Sequence, residues 1–451
     1  MRIIYLSPTE PFPGTHAGFT HVYNLITNLC REGVEVILVA GEPQEGMEKS
    51  HIPDIDSIPG LTVHSIPRSN SVTRNIRALR TVLKILRKND IDLIHERYEM
   101  AGGAGTAASL MKKIPLVLEV NDPLMELNAK PWQRPFLKTL RRIQYWRSHA
   151  IICQTPHIKG AIWAGYPRSK TRIFVIPNGA DPSRFPHTPF PVTGGESGTE
   201  GAETGIEGAE TGTKGAEIGT KGAEIGTKGA GTGTEGAETG TKGAGTGTEG
   251  AEKKRIGFIG NFMPWHGVRT LIRAFAEVRK EEPESQLLLI GNHRNHEDEL
   301  GSLTWELGIQ DHVEFTGAVP SDEVPHLLSG CRVLVAPFAP ELDITRKEWY
   351  DRFGFWWSPL KIFEYMAAGR PVVSPKLGMI PTYLGDAGRV YPPGDESGLV
   401  TCLVELLGND SLSKELGERG RERVGHHYNW TTIAHITRMV YMNVLEGLDR
   451  R

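Results

Sequence analysis

The stretch Ser358-Pro-Leu-Lys-Ile-Phe-Glu-Tyr-Met-Ala-Ala-Gly-Arg-Pro-Val-Val-Ser374 predicts a loop, a short helix, a stop and a strand. Leu360 to Ala368 are good helix formers with an apolar face, Gly369 fits a left-handed helix end, and Pro371 prevents continuation. The Pro-Val-Val-Ser that follows is typical of a short strand buried in a parallel sheet. A helix that leads directly into such a strand indicates an α/β fold.

The first turn of this predicted helix has the chemistry of an anion site. A helix N-terminus carries free N–H groups and a partial positive charge, and Lys361 adds a full charge there. Glu364, three positions on, projects from the same side. A cation beside free amides suits a diphosphate, and a carboxylate one turn deeper suits a pair of sugar hydroxyls. The alternative is an ordinary solvated ion pair between the two side chains.

Strands and helices also alternate from the start of the chain. Residues 3–6 predict a strand, a loop runs to Gly18, residues 21–31 predict a helix, and 34–39 predict a second strand. This is the opening βαβ unit of a doubly wound sheet, in which ligands bind at the carboxyl ends of strands. Gly18 would let the backbone approach a ligand closely, although a plain turn explains it equally.

Further strands are predicted in both halves of the chain. In the first half, polar side chains follow the strands at 91–95 and 115–120, and they either line one cleft or form local caps: Glu96, Glu119, Asn121 and Asp122. A second series of strands and helices begins at residue 253. Its predicted strands are 255–259, 286–290, 313–317 and 332–337.

Residues 201–249 repeat the heptad Gly-Ala-Glu-(Thr/Ile)-Gly-(Thr/Ile)-(Lys/Glu). The glycines alternate at spacings of four and three, which excludes collagen, and no apolar seam supports a coiled coil. Such a segment is too poor in large apolar residues to bury a core, so we predict a disordered linker.

Charge is unevenly distributed along the 451 residues. Residues 1–193 contain 24 Lys and Arg against 16 Asp and Glu, a net charge of +8, whereas the whole chain carries −3. A basic first half suggests an anionic partner, either a membrane surface or a phosphorylated substrate. No nucleic-acid-binding motif accompanies this charge. The four cysteines have no metal-ligand spacing, and neither a signal peptide nor a membrane span is predicted, so we expect a cytoplasmic protein.

Residues 130–147 combine six basic residues with interleaved aromatic and aliphatic ones. Basic residues with interspersed aromatics suit the interface of an anionic membrane, which would make the protein peripheral at the inner face of the cell membrane. The alternative is an aromatic stripe that faces the core, with a solvated basic back.

Four segments, taken together, resemble glycosyltransferase family 4, the retaining nucleotide-sugar transferases of the GT-B architecture. Ile-Pro-Asn-Gly-Ala-Asp at 176–181 is similar to the interdomain signature, and Phe-Ile-Gly-Asn-Phe-Met-Pro-Trp-His-Gly at 258–267 to the phosphate loop. Val-Glu-Phe-Thr-Gly-Ala-Val-Pro at 313–320 resembles the base-binding turn. Lys-Ile-Phe-Glu-Tyr-Met-Ala-Ala-Gly-Arg-Pro-Val-Val at 361–373 resembles the donor-site helix.

The resemblance implies two doubly wound Rossmann-like domains that face a central cleft. The first, 1–185, would bind the acceptor, and the second, 253–425, the nucleotide sugar. A Gly-rich linker would occupy 186–252, and a C-terminal helix at 426–451 would pack back on the first domain.

Site residues follow from the same resemblance. Lys361 and the backbone at Ser358 and Leu360 would hold the donor diphosphate, and Glu364 the ribose. The Val319 backbone would meet the base, and Gly18 would let the first domain close over the diphosphate.

The sequence departs from the family pattern at four positions. The usual Arg and Lys of the phosphate loop are replaced by Asn261 and His266, which stay candidate donor and catalytic residues, and the charge of a His depends on pH. The first glutamate of the usual pair falls on Trp356, which leaves contacts to the donor sugar open. Asn121 occupies the place of a His that often ends the fourth-strand segment, and we retain it as a candidate catalytic residue.

The expected activity is hexosyl transfer from a UDP- or GDP-sugar to a glycan or lipid-linked acceptor in cell-surface polysaccharide or glycoconjugate synthesis. No metal or other cofactor is expected. The alternatives are a nucleotide-sugar 2-epimerase of the same architecture and a non-catalytic nucleotide-sugar-binding protein. The first would convert the donor without an acceptor, and the second would bind it without turnover.

Overall fold

The computed structural model describes residues 1–14, 16–43, 55–123, 125, 129–166, 172–186, 190, 254–291, 297–343 and 347–449. The predicted repeat, and nearly all of the predicted linker around it, lie outside these residues. The described strands form two sheets, one in each half of the chain.

The first half of the chain forms a seven-stranded parallel sheet in the order β3-β2-β1-β4-β5-β6-β7. Its strands are β1 (Arg2–Pro11), β2 (Glu35–Gly41), β3 (Leu61–Ile66), β4 (Leu93–Arg97), β5 (Leu116–Val120), β6 (Ala150–Cys153) and β7 (Ile173–Val175). Its helices are α1 (Ala17–Arg31), α2 (Ser71–Ile85), α3 (Ala104–Lys112), α4 (Arg134–Arg147) and α5 (Pro156–Gly165).

The second half forms a six-stranded parallel sheet in the order β10-β9-β8-β11-β12-β13. Its strands are β8 (Arg255–Ile259), β9 (Gln286–Ile290), β10 (Val313–Gly317), β11 (Val333–Val335), β12 (Val372–Pro375) and β13 (Gly388–Tyr391). The helices are α6 (Val268–Glu281), α7 (Glu297–Glu306), α8 (Val324–Ser329), α9 (Lys347–Phe353), α10 (Leu360–Ala367), α11 (Ile380–Leu384), α12 (Glu396–Gly408), α13 (Asp410–His427) and α14 (Trp430–Asp449).

Each sheet changes direction at one point, between β1 and β4 in the first and between β8 and β11 in the second. Crossovers on either side of that point run in opposite directions, so helices cover both faces and a crevice opens outside the carboxyl ends of the strands. The loops after β8 and β11 and the start of α10 lie at this edge. The predicted doubly wound α/β architecture is confirmed.

The last helix, α14, belongs to the core of the first half. Trp430, Ile433 and Tyr441 are buried in the same apolar cluster as residues of β1. Thr431 Oγ1 donates a hydrogen bond of 3.1 Å to Asn28 Oδ1 on α1. The two ends of the described chain therefore pack together.

Most of the aromatic residues at 130–147 do not face the core. Leu137 and Tyr145 of α4 are buried, and Tyr145 packs with residues of β5, whereas Trp132, Phe136 and Trp146 are exposed by 74%, 70% and 58%. The interpretation of 130–147 as a core-facing aromatic stripe is therefore wrong for these three side chains. Among the described residues, no helix combines the length and apolarity needed to cross a membrane.

Candidate active site

Helix α10 starts with unoccupied backbone donors. Its N-cap is Pro359, which makes no side-chain hydrogen bond to the first turn. The helix ends at Ala367, and Gly369 follows with φ +68°, the left-handed conformation predicted from the sequence. Ile362 N–H donates to the Pro359 carbonyl at 3.2 Å, but no hydrogen bond within the described residues uses the N–H groups of Leu360 and Lys361, which remain available to an anion at the crevice.

Lys361 lies in this first turn with its ammonium enclosed by aromatic rings. Nζ is 4.2 Å from the centroid of Phe258 and 5.3 Å from that of Phe338. The atom is buried and has no hydrogen-bond partner among the described residues. Burial lowers the pKa of Lys361 to about 7, although the charge of Glu364 opposes this shift. An ammonium without an anionic partner is the group that a phosphate would stabilise.

Glu364 lies one turn further along α10 and is partly buried. Burial raises the pKa of its carboxyl, and the positive charges of Arg184 and Lys361 act against that rise. Arg184 belongs to the first half of the chain and donates a hydrogen bond of 3.1 Å to the backbone oxygen of Ser321 in the second half. The carboxylate is therefore placed between charges from both halves.

The loop after β8 wraps closely around the ammonium of Lys361. Gly260 has φ +143°, and a Cβ atom there would lie 2.8 Å from Lys361 Nζ. His266 Nδ1–H donates a hydrogen bond of 2.5 Å to the Asn261 carbonyl oxygen. Burial and the charge of Lys361 lower the pKa of His266 to about 3. The imidazole is thus neutral at physiological pH. The sequence predicts a charge that depends on pH, but His266 gains that charge only at a much more acidic pH.

The other candidates on the second half occupy different environments. The Asn261 side chain is exposed, and Val319, just beyond β10, packs partly buried against an apolar core cluster. The Leu360 side chain packs against the core of the first half. Ser358 is buried, and both its hydroxyl and its carbonyl accept hydrogen bonds from Asn178. Ser358 therefore links the start of α10 to the first half.

Gly18 does lie where a side chain cannot fit, but the neighbour is the protein itself. A Cβ atom at this position would be 2.3 Å from Glu10 Oε2. The Glu10 carboxylate is held by Arg97 Nη1 at 3.0 Å and lies 3.4 Å from His16 Nδ1. The space beside Gly18 is therefore occupied by an internal ion pair.

Asn121 follows β5 in the first half. Its amide nitrogen and oxygen are both buried and have no hydrogen-bond partner among the described residues. Trp356, which replaces a family glutamate, is also buried, and it packs in a cluster with Trp349 and residues of the first half. Its indole therefore serves the contact between the halves.

A network that the sequence pattern did not predict lies around Glu119 at the end of β5. The carboxylate accepts a hydrogen bond of 2.7 Å from Tyr5 Oη and lies 2.8 Å from His21 Nε2 and 3.2 Å from His95 Nε2. Burial by itself would raise the pKa of Glu119, but the two histidines and Arg97 together hold it well below its usual range. By contrast, Glu96 caps the start of α3, as the local-cap interpretation predicts.

Two doubly wound parallel α/β halves are the architecture of GT-B glycosyltransferases. Residues 18–184 match the profile of Glycosyltransferase Family 4, and residues 253–409 match that of Glycosyl transferases group 1. The chain belongs to this family of glycosyltransferases, as its resemblance implied.

Relatives and solved structures agree with this assignment. The chain is 27% identical to O-antigen chain mannosyltransferase B of Escherichia coli over 36% of its own length and 39% of that protein. It is 29% identical to phosphatidyl-myo-inositol mannosyltransferase of Mycolicibacterium smegmatis over 43% of this chain and 46% of that protein. These matches thus span less than half of either relative. D-inositol 3-phosphate glycosyltransferase of Corynebacterium jeikeium is 23% identical over 98% of this chain and 95% of its own.

Two solved structures share the fold over nearly the whole chain. Sucrose-phosphate synthase of Thermosynechococcus elongatus superposes with a TM-score of 0.67 at 16% identity, covering 99% of both chains. Anabaena HepE in complex with UDP and glucose gives a TM-score of 0.65 at 16% identity, covering 98% of this chain and 100% of that one.

Proposed function

We propose that this protein is a retaining glycosyltransferase that moves a sugar from a nucleoside-diphosphate sugar to a glycan or lipid-linked acceptor. The observation that carries the proposal is Lys361, a buried ammonium without a hydrogen-bond partner among the described residues, in the first turn of a helix with free amides. An anion would complete this arrangement, and a diphosphate supplies two adjacent, negatively charged phosphate groups.

The chemistry follows from where charge develops. Breaking the anomeric C–O bond leaves negative charge on the departing nucleoside diphosphate and an oxocarbenium-like sugar. Lys361 and the α10 amides stabilise the leaving group in a site that excludes water. A cation at about 4 Å contributes about 4 kcal/mol at an effective dielectric constant of about 20. We propose that no metal takes part. His266, neutral and held by the hydrogen bond from its Nδ1–H to Asn261, has an unprotonated Nε2, which can accept a hydrogen bond from a donor hydroxyl but donates none to the diphosphate.

The donor is a UDP- or GDP-sugar in this proposal. Anabaena HepE, which shares the fold, was solved in complex with UDP and glucose, and a relative from Mycolicibacterium smegmatis is named as GDP-mannose-dependent. Glu364 is the proposed partner of the ribose hydroxyls. Trp356, buried in an apolar cluster, stands at the position of a family glutamate, so the donor sugar has no carboxylate there.

For the acceptor, the names of two relatives support cell-surface polysaccharide or glycoconjugate synthesis. One is named for the O-antigen chain and the other for phosphatidyl-myo-inositol.

We also propose a cytoplasmic protein that contacts an anionic membrane through α4. Trp132, Phe136 and Trp146 are exposed, and Arg134, Lys138 and Arg142 form an exposed stripe on α4 at a spacing of four residues. Helices α2, α3 and α4 contain ten Lys and Arg and no Asp or Glu, and α3 contacts both neighbours. Exposed apolar residues beside cations suit a bilayer interface that carries negative charge.

Vesicle flotation tests this membrane contact. The protein should float with phosphatidylglycerol-containing vesicles and not with neutral ones, and charge reversal at Arg134, Lys138 and Arg142 should abolish flotation. The matched control reverses Arg273 and Lys376, exposed residues of the second half, and should leave it unchanged. Equal flotation with neutral vesicles would contradict the proposal.

A thermal-shift panel of nucleotide sugars, followed by product analysis, tests the reaction. A donor should raise the melting temperature through mass action, and transfer should then require an acceptor. NMR of the donor incubated alone separates this from a 2-epimerase, which would change the sugar without acceptor. Binding without turnover under any acceptor would instead indicate a nucleotide-sugar-binding protein.

A further inference from the structure

Asn178 is a buried amide that touches both halves of the molecule. It follows β7, and its side chain is 6% exposed. On the first half, His21 Nδ1–H donates to Asn178 Oδ1 at 2.8 Å, and Gln154 Nε2 donates to the same oxygen at 3.2 Å. On the second half, both of its hydrogen bonds are with Ser358.

These two hydrogen bonds fix how the amide is oriented. The backbone N–H of Asn178 donates to Ser358 Oγ at 3.0 Å, and Nδ2 donates to the Ser358 carbonyl oxygen at 2.6 Å. A carbonyl oxygen can only accept, so the Asn178 nitrogen must face Ser358 and its oxygen must face His21. The orientation of the amide is therefore determined by partners on both sides.

In the first half, His21, which contacts Asn178, is itself held by a further residue. His21 Nε2 lies 2.8 Å from Glu119 Oε1, and Glu119 is itself buried among residues of the first half. Ser358 is two residues before the first residue of α10. Contacts thus run without interruption from the core of the first half to the anion-binding turn of the second.

We infer that Asn178 is a positioning residue that holds Ser358, and with it the free amides at the start of α10, in the geometry that receives the donor diphosphate. This role rests on the proposed function, because it assumes a diphosphate at α10. Other bonds hold the same loop: Thr155 Oγ1 donates to the Trp356 carbonyl at 2.9 Å. Loss of Asn178 should therefore misplace the turn without releasing the whole segment, and small displacements of a binding group are costly.

Asn178→Asp is the sharpest test. It keeps the size and the oxygen that faces His21, removes the Nδ2 donor, and sets an oxygen against the Ser358 carbonyl. Affinity for UDP or GDP, whichever the wild type binds, should fall about 10- to 100-fold, in line with the cost of one mismatched buried hydrogen bond. Ser358→Ala, which removes only the hydroxyl acceptor, should lower affinity less. In the double variant the two losses should not add, because both break the same link.

Asn28→Asp is the matched control. Asn28 is equally buried, and its amide accepts from Thr431 and donates to the backbone of Asn24, neither of which belongs to α10. Its replacement should lower the melting temperature of the unliganded protein without weakening nucleotide binding. Equal loss of affinity in both variants, or wild-type affinity in Asn178→Asp, would overturn the role of Asn178 alone. Absence of nucleotide binding by the wild type would overturn the proposed function together with this role.

Discussion

Two buried charges, one in each half of the molecule, have opposite surroundings. Glu119 in the first half is hydrogen-bonded to Tyr5 and His95 and lies 2.8 Å from His21 Nε2 and 3.8 Å from Arg97 Nε. Lys361 in the second half has two aromatic rings and, among the described residues, no hydrogen-bond acceptor.

The effect on proton affinity follows from this difference. Partners hold the pKa of Glu119 well below its usual range despite its burial, whereas burial lowers the pKa of Lys361 to about 7. A buried charge that has partners stabilises the fold only while those partners are present. A buried charge without partners destabilises the fold, and a ligand of opposite charge can remove that cost. The comparison therefore supports the proposal that Lys361 binds an anionic ligand, and it predicts a structural role for Glu119.

Glu119→Ala should have the largest effect on stability. It removes the buried anion beside two histidines and Arg97, although Arg97 keeps its pair with Glu10, and breaking a buried ion pair costs about 3–5 kcal/mol. Urea unfolding of the purified protein measures the change. Glu405→Ala, which removes the carboxylate from a pair with Arg389 at the surface, should cost no more than about 1 kcal/mol. Equal losses in the two variants would remove the structural role of Glu119.

Lys361→Ala should have the opposite outcome, with a loss of activity and no loss of stability. We expect kcat/KM for sugar transfer to fall at least about 100-fold, as for loss of an electrostatic donor to a leaving group. The melting temperature of the unliganded protein should hold or rise, because a buried ammonium without a partner is removed. Lys347→Ala, at an exposed pair with Asp351 on α9, is the control for loss of a lysine. Near wild-type transfer by the Lys361 variant would exclude this residue from the mechanism.

Much of the architecture could be predicted from the sequence because the signals are local. Apolar runs bounded by turn residues indicate the buried parallel strands, and Gly369 with Pro371 marks the end of α10. Strand β3 was not predicted, since it lies at the sheet edge and most of its residues are only half buried, which weakens the apolar pattern. Position in a sheet is a long-range property that a short segment does not report.

In the candidate site, too, residues within one local segment could be predicted from the sequence, whereas contacts between distant segments could not. Lys361 and Glu364 come from one helix and could be selected from their spacing, but their roles stay predictions. The rings of Phe258 and Phe338 that enclose Lys361 come from two other strand ends, so their convergence depends on the sheet order. Gly18 is the reverse case: the residue type suggested a close approach, and the partner turned out to be Glu10.

The depressed pKa of Lys361 also predicts how donor binding depends on pH. An anion at Nζ raises this pKa in the complex, so binding takes up a proton. The favourable contribution is complete below pH 7 and is lost as pH rises above the unliganded value. Affinity for a nucleotide sugar should therefore fall about tenfold per pH unit above pH 7, until the pKa of the complex is reached. Titration calorimetry at pH 6 to 9 measures this, and Lys361→Arg, which stays charged, should remove the slope.

His266 should contribute the smallest effect, and its behaviour distinguishes a neutral donor-site residue from a charged one. Because its pKa is lowered to about 3, donor affinity should stay level between pH 5 and 7, where an ordinary histidine would titrate. His266→Gln replaces one neutral polar side chain by another and should lower affinity about 3- to 10-fold, the range of a single neutral hydrogen bond. A step in affinity near pH 6.5 in the wild type, absent from His266→Gln, would show that the imidazole carries charge. The diphosphate would then be bound by two cations, Lys361 and His266. The comparison with Glu119 would have to consider both cations.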